Sequence, residues 1–203
     1  MVGLIIGSIS GSTSSSATSI GANAGASITS GIDNTLIGQN AGSSMTTASS
    51  NTALGKGCLT TTTNAFGNIA IGTLVLANLG TGVVQAGTVP SCSYNIGIGD
   101  RVFTSMTGGA TGGFENIGIG NNVGLIATTA YYATAIGSEA LRFLTTGIAN
   151  TAYGVSALPN VTTGSNNIGI GGTSGGDSTG LTVTQCAPVG LGGGGLGDAI
   201  RTG

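Results

Sequence analysis

Acid–base chemistry in this chain would have to come from six carboxylates, because its 203 residues include no histidine. Ser-His-Asp and Cys-His catalysis are thereby excluded, as are His-containing metal sites. Asp33, Asp100, Glu115, Glu139, Asp177 and Asp198 are widely spaced, and only Asp100 and Glu115 lie beside irregular stretches that could bring two carboxyls together. A working pair of the glycosidase type is not expected there. Cys58, Cys92 and Cys186 cannot all pair within one chain, and their spacing fits no zinc or redox motif. A link between Cys92 and Cys186 is left open, since nothing in the sequence fixes their separation. The GxGxxG match at Gly190, Gly192 and Gly195 stands in a run of glycines with no helix-forming sequence behind it. The single GGLGD at Gly194 to Asp198 is out of spacing for a calcium-binding roll. The expectation is a chain that is not an enzyme and uses no cofactor or metal.

Composition narrows the partners as well. The four basic residues, Lys56, Arg101, Arg142 and Arg201, are scattered and the net charge is -2, so no cluster exists to neutralise a run of phosphates. Nucleic acid is not an expected partner. MVGLIIGSIS is apolar but no basic residue precedes it, which makes a poor secretory signal. No apolar stretch reaches the roughly 18 to 20 residues that cross a bilayer, so no membrane insertion is expected. With 41 glycines, 5% charged and 4% aromatic residues, an ordinary globular core is not expected. Disorder is not expected either, because aliphatic residues recur on a schedule.

That schedule is a nine-residue frame, seen in NTAYGVSAL from Asn150, NTLIGQNAG from Asn34, NTALGKGCL from Asn51 and NIGIGDRVF from Asn95. Its asparagines are Asn34, Asn51, Asn68, Asn95, Asn116, Asn150 and Asn167; Ala17 and Ala133 stand in the same place in two further copies. Its glycines are Gly21, Gly38, Gly55, Gly72, Gly99, Gly120, Gly137, Gly154 and Gly171, spaced 17 residues apart except for one step of 27 and one of 21. A period whose phase survives two insertions marks a stacked repeat in which extra residues loop out and the next coil returns to register. The fold expected is all-β, a parallel β-solenoid of about ten short coils.

Within the frame, alternation sorts residues onto two faces. The second and fourth positions, such as Thr35 and Ile37 or Ile96 and Ile98, are expected inside the coil. The third is Leu36 once and otherwise Ala or Gly, and is expected on the outside, pressed against a second copy of the chain. Replacing Ala135 or Gly169 by Leu is then expected to weaken assembly. The frame Gly closes the strand where positive φ is needed, and Cys58, aligned with alanines and valines, is read as a small buried filler. Two readings of the frame Asn stay open: a ladder of stacked amides, or tolerance of turn geometry.

The frame resembles the NTAIG-type repeats of trimeric autotransporter adhesin heads, and more closely the NTAxG arrays of phage and giant-virus fibre proteins. The likeness covers about residues 17–175. It implies a left-handed β-roll that forms homotrimers and serves binding or spacing. The organisation expected is an attachment or capping segment at 1–16, a repeat domain at 17–177 and a glycine-rich tail at 178–203. Two insertions, near 79–94 and 104–115, should emerge side by side and offer Tyr94, Phe114 and Glu115 as contact residues. The function expected is a structural or attachment component at a virion surface. Its partners would be further copies of itself, other virion proteins and a host receptor or glycan. The alternatives are the head of a bacterial surface adhesin and an ice-binding solenoid.

Overall fold

The computed structural model describes residues 16–80, 92–108 and 112–173. Nine short strands follow one another: β1 (Ala17–Ile20), β2 (Asn34–Ile37), β3 (Thr52–Leu54), β4 (Ile69–Thr73), β5 (Ile96–Asp100), β6 (Ile117–Asn121), β7 (Thr134–Ile136), β8 (Thr151–Tyr153) and β9 (Ile168–Ile170). They form one parallel sheet in sequence order, each strand pairing with the next coil's equivalent. The register keeps the repeat phase across both long steps, with Gly72 opposite Gly99 and Gly99 opposite Gly120. The chain is therefore a β-solenoid. Eight interstrand steps of ~4.8 Å make the described stack roughly 38 Å tall, shorter than ten coils would give. The tenth candidate, around Gly190, lies outside the described residues.

Each coil turns its corners with positive φ at four places. The frame glycine sits at φ of 110° to 142° from Gly21 to Gly171, well beyond the left-handed well that other residues visit. The other three places lie just before the frame Asn and six and eight residues after it. They hold whatever residue the coil supplies there, for example Tyr94, Arg101 and Phe103 with φ of 50° to 58°. These corners bring the walls so close that only a thin interior remains.

That thinness reverses the expected sidedness of the strands. Ala53, Ala70, Ala135 and Ala152 are fully buried, while the second and fourth positions, including Leu54, Ile69, Ile119 and Tyr153, face outward. The opposite wall already delivers the large side chains, among them Met45, Leu59, Leu76, Phe103, Met106 and Leu144, all at 0% exposure. The sheet's inward row has to be small to admit them. Volume is balanced layer by layer: Leu36 occupies space left by Gly25 and Gly42, and Phe103 lies against Gly118 and Gly124. Leucine at Ala135 or Gly169 would therefore overfill the core rather than obstruct an outer contact. Cys58 is buried in the filler row, as its alignment predicts.

The frame asparagines do form a ladder. Asn68 Oδ1 accepts from the main-chain N–H of Asn95 at 2.9 Å and from its side-chain amide at 3.1 Å, and the same pair of bonds links Asn34 to Asn51, Asn51 to Asn68, Asn95 to Asn116 and Asn150 to Asn167. The amides from Asn34 to Asn150 also tie down the far wall, as when Asn34 donates to the Ala48 carbonyl at 2.7 Å and Asn116 to that of Ala130 at 2.9 Å. At Ala133 the run is interrupted: its N–H still donates to Asn116, but it offers Asn150 no side-chain oxygen. Ala133→Asn is expected to restore the two missing bonds and stabilise the chain by about 1 to 2 kcal/mol, a rise of a few degrees in melting temperature. A thermal melt showing no gain would contradict this account of the ladder.

Both insertions leave from one edge of the stack. Gly80 donates to the Met106 carbonyl and Cys92 to that of Gly112, so the flanks of the two loops lie in adjacent layers. Residues 81–91 and 109–111 within them lie outside the described residues, as do 1–15 and 174–203, and with them most of the expected capping segment and all of the expected tail.

Candidate functional site

Two outward surfaces depart from what a solvated coil would show. The first is the sheet face. Its second row reads Thr or Ile and its fourth row Ile, Leu or Tyr through all nine strands, without a charge or an amide. Ile170 is 74% exposed, Tyr153 59% and Leu54 43%. At ~38 Å by ~10 Å, the area is on the order of 400 Å², the size at which an apolar patch marks an interaction surface. Parallel sheets moreover normally have both faces covered.

The second surface is a corner. Of the eight aromatic residues in the chain, five (Phe66, Tyr94, Phe114, Tyr131 and Tyr132) occupy the two places just before the frame Asn in four successive layers. The layer order is set by main-chain bonds from Tyr94 to Phe66, from Glu115 to Ser93 and from Tyr132 to Phe114. Phe114 and Tyr131 stack at 4.8 Å between ring centroids, and Tyr132 meets both edge-on, at 5.5 and 5.1 Å. Tyr94 rests on Gly67, whose missing side chain gives the ring its place. In the column immediately before the Asn, Tyr94, Glu115 and Tyr132 are consecutive, all with left-handed φ and all exposed. Elsewhere the same column holds Asp33, Ser50, Gly67, Ala149 and Asn166, which are small or suited to that backbone.

The corner gathers Tyr94, Phe114 and Glu115, the three residues singled out from the insertions. Phe66, Tyr131 and Tyr132 were not read from the sequence as part of it; aligning the coils on the two places before the Asn exposes them. Asp100 and Glu115 do not meet. They stand at opposite ends of neighbouring strands, roughly 20 Å apart at 3.3 Å per residue. Asp100 accepts from Arg101 and from the Asn121 amide at 3.0 Å, Glu139 pairs with Arg142 at 3.0 Å and Asp33 accepts from Ser16 at 2.5 Å. Glu115 is the one carboxylate without an ion pair or side-chain hydrogen bond among the described residues.

The remaining candidate nucleophiles are buried. Desolvation pushes the Cys92 thiol up to about 11 against a weaker opposing bond to Gly80, and burial likewise raises Cys58 despite bonds to Val75 and Gly72. Protonated, enclosed thiols of this kind are structural fillers. Cys186 lies outside the described residues. No group of three His, Cys, Asp or Glu side chains able to hold a metal occurs among the described residues, and they include no helix long and apolar enough to cross a membrane. No protein-family model matches the chain, and no curated protein or solved structure matches it either.

Proposed function

We propose that this chain is a non-enzymatic structural and attachment protein, a homotrimeric β-solenoid of a virion fibre or capsid surface whose subunits join through the outward sheet face. The observation that carries self-association is the uncharged Thr/Ile ladder running the full height of the described stack, uncovered in the single chain. A second copy presents the same rows at the same ~4.8 Å repeat, so side chains of one can seat between layers of the other. The likeness of the frame to fibre-protein arrays supports the virion assignment and the threefold state; the adhesin head is the alternative on the same repeats.

Sedimentation of the wild-type chain is expected to give three chain masses. Ile98→Lys with Ile119→Lys places cations in the centre of the face without touching the interior. The pair is expected to weaken assembly by at least ~100-fold, about 2.7 kcal/mol, while circular dichroism stays that of the parent. A wild-type chain that sediments as a stable folded monomer removes the proposal. Capsid or tail genes beside the coding gene would favour virion over adhesin.

The outward rows also bear on ice binding, since a flat array is what that function needs. Threonine holds five of the nine second positions but none of the fourth, and Ile69, Ile96 and Ile117 interrupt the row. Thermal hysteresis in the soluble protein would overturn the fibre reading in its favour.

A further inference from the structure

We propose that the aromatic corner is a binding site for an organic ammonium ion, with Tyr94 and Tyr132 as its walls and Glu115 as its counter-charge. Three observations point there independently of the trimer. First, Glu115 is uncompensated among the described residues, whereas the other described carboxylates have partners. Second, tyrosines stand in the layers directly before and after it, their main chains two steps or roughly 9.6 Å apart, so a cation over Glu115 lies one layer step, ~4.8 Å, from the layer of each. That is within the ~6 Å over which an aromatic face attracts a cation. Third, Tyr94, Glu115 and Tyr132 are consecutive in one exposed column, so core packing does not account for their identity.

The ligand class follows from what the corner offers. Aromatic faces with one carboxylate suit a cation with an apolar shell, such as a quaternary or methylated ammonium. A saccharide would call for several convergent donors and acceptors, but Ser93, the one aliphatic hydroxyl of this corner, is fully buried and already accepts from the Phe66 N–H at 3.0 Å, which leaves only the phenol hydroxyls at the ring tips. The stacked pair Phe114–Tyr131 holds Tyr132 edge-on and so fixes one wall in place.

The absence of tryptophan makes tyrosine emission a direct readout, since three of the four tyrosines belong to the corner. The intact protein is titrated with choline chloride at constant ionic strength and, in parallel, with 3,3-dimethylbutan-1-ol, its uncharged isostere. Choline is expected to give a saturable change, with the alcohol at least about tenfold weaker. Glu115→Gln should weaken choline about tenfold and leave the alcohol unmoved. Tyr132→Ser should abolish the response, and Tyr153→Phe on the sheet face should retain it. None of the corner variants should change the sedimented mass, which separates failure here from failure of the trimer. Vesicles of phosphatidylcholine identify a lipid headgroup as the source if they bind too, and a soluble or peptide-borne ammonium if free choline alone binds. Equal binding of the alcohol, saturation by methyl glucoside instead, or no response to about 100 mM choline overturns the proposal.

Discussion

Gly99→Ala is expected to unfold the stack around its middle coils. Gly99 has φ 136°, and a Cβ there would run into the carbonyl oxygen of Gly120 in the next coil. That oxygen belongs to main chain held in register by the β5–β6 pairing, so it cannot move aside as a flexible side chain would. Backbone strain alone costs about 1 to 3 kcal/mol, and the collision should raise the total above ~4 kcal/mol, a large part of the 5 to 15 kcal/mol that holds an ordinary domain together. A control lies at the end of the described stack: Gly171 has φ 110°, but a Cβ there meets none of the described residues within 4 Å. Gly171→Ala should cost the strain alone. Thermal melts of the two variants test the argument, with a drop of more than ~10 °C expected for the first and a smaller one for the second. Equal melting temperatures would show that the approach of successive coils imposes no penalty.

The second large effect is expected at Asn95, in the middle of the ladder. Its amide donates to Asn68 Oδ1 at 3.1 Å, Ser93 O at 3.3 Å and Gly113 O at 2.7 Å, while its own oxygen accepts from the N–H and amide of Asn116 at 3.1 and 3.0 Å. Truncation to alanine would orphan the Gly113 carbonyl and the Asn116 N–H in a fully buried place. At ~1 to 3 kcal/mol for each buried group left unpaired, Asn95→Ala should cost about 3 to 4 kcal/mol. Chemical denaturation is the measurement, and a loss under ~1 kcal/mol would mean that water replaces the amide. Ala133 tests the converse, because there nature has already made the substitution.

The parts legible in the sequence were those that recur once per coil. The 17-residue spacing of Gly38, Gly55 and Gly72 announced both the stacking and the register, because a position that tolerates only Gly must reappear whenever the backbone returns to it. The sidedness of the strands was not legible. Alternation separates Ile96 and Ile98 from Gly97 but does not say which face is inward; the usual preference for large residues inside gave the wrong answer. What decided it was the opposite wall, where Val102, Phe103 and Met106 had claimed the interior. The left-handed corners at Leu76, Arg101 and Tyr132 were hidden for another reason. Stacking enforces that backbone whatever residue stands there, so no residue type marks it. Tyr94, Phe114 and Glu115 were visible as residues beside insertions, but their union with Phe66, Tyr131 and Tyr132 requires the layer order.

Tension along the axis of a stack is borne junction by junction, and the interruption at Ala133 tells where this one would part. Every junction in a solenoid is a nearest-neighbour bond, so rupture starts at the weakest one. Between β7 and β8 the sheet pairing continues, but Asn150 has no amide oxygen before it to grip. Ala17 leaves the same vacancy ahead of Asn34 at the first coil. The five linked asparagines from Asn34 to Asn116 therefore behave as one rigid rod, separated from β8 and β9 by the unbonded step. Pulled or partly denatured, the protein would part at that step and keep together the segment that carries the aromatic corner.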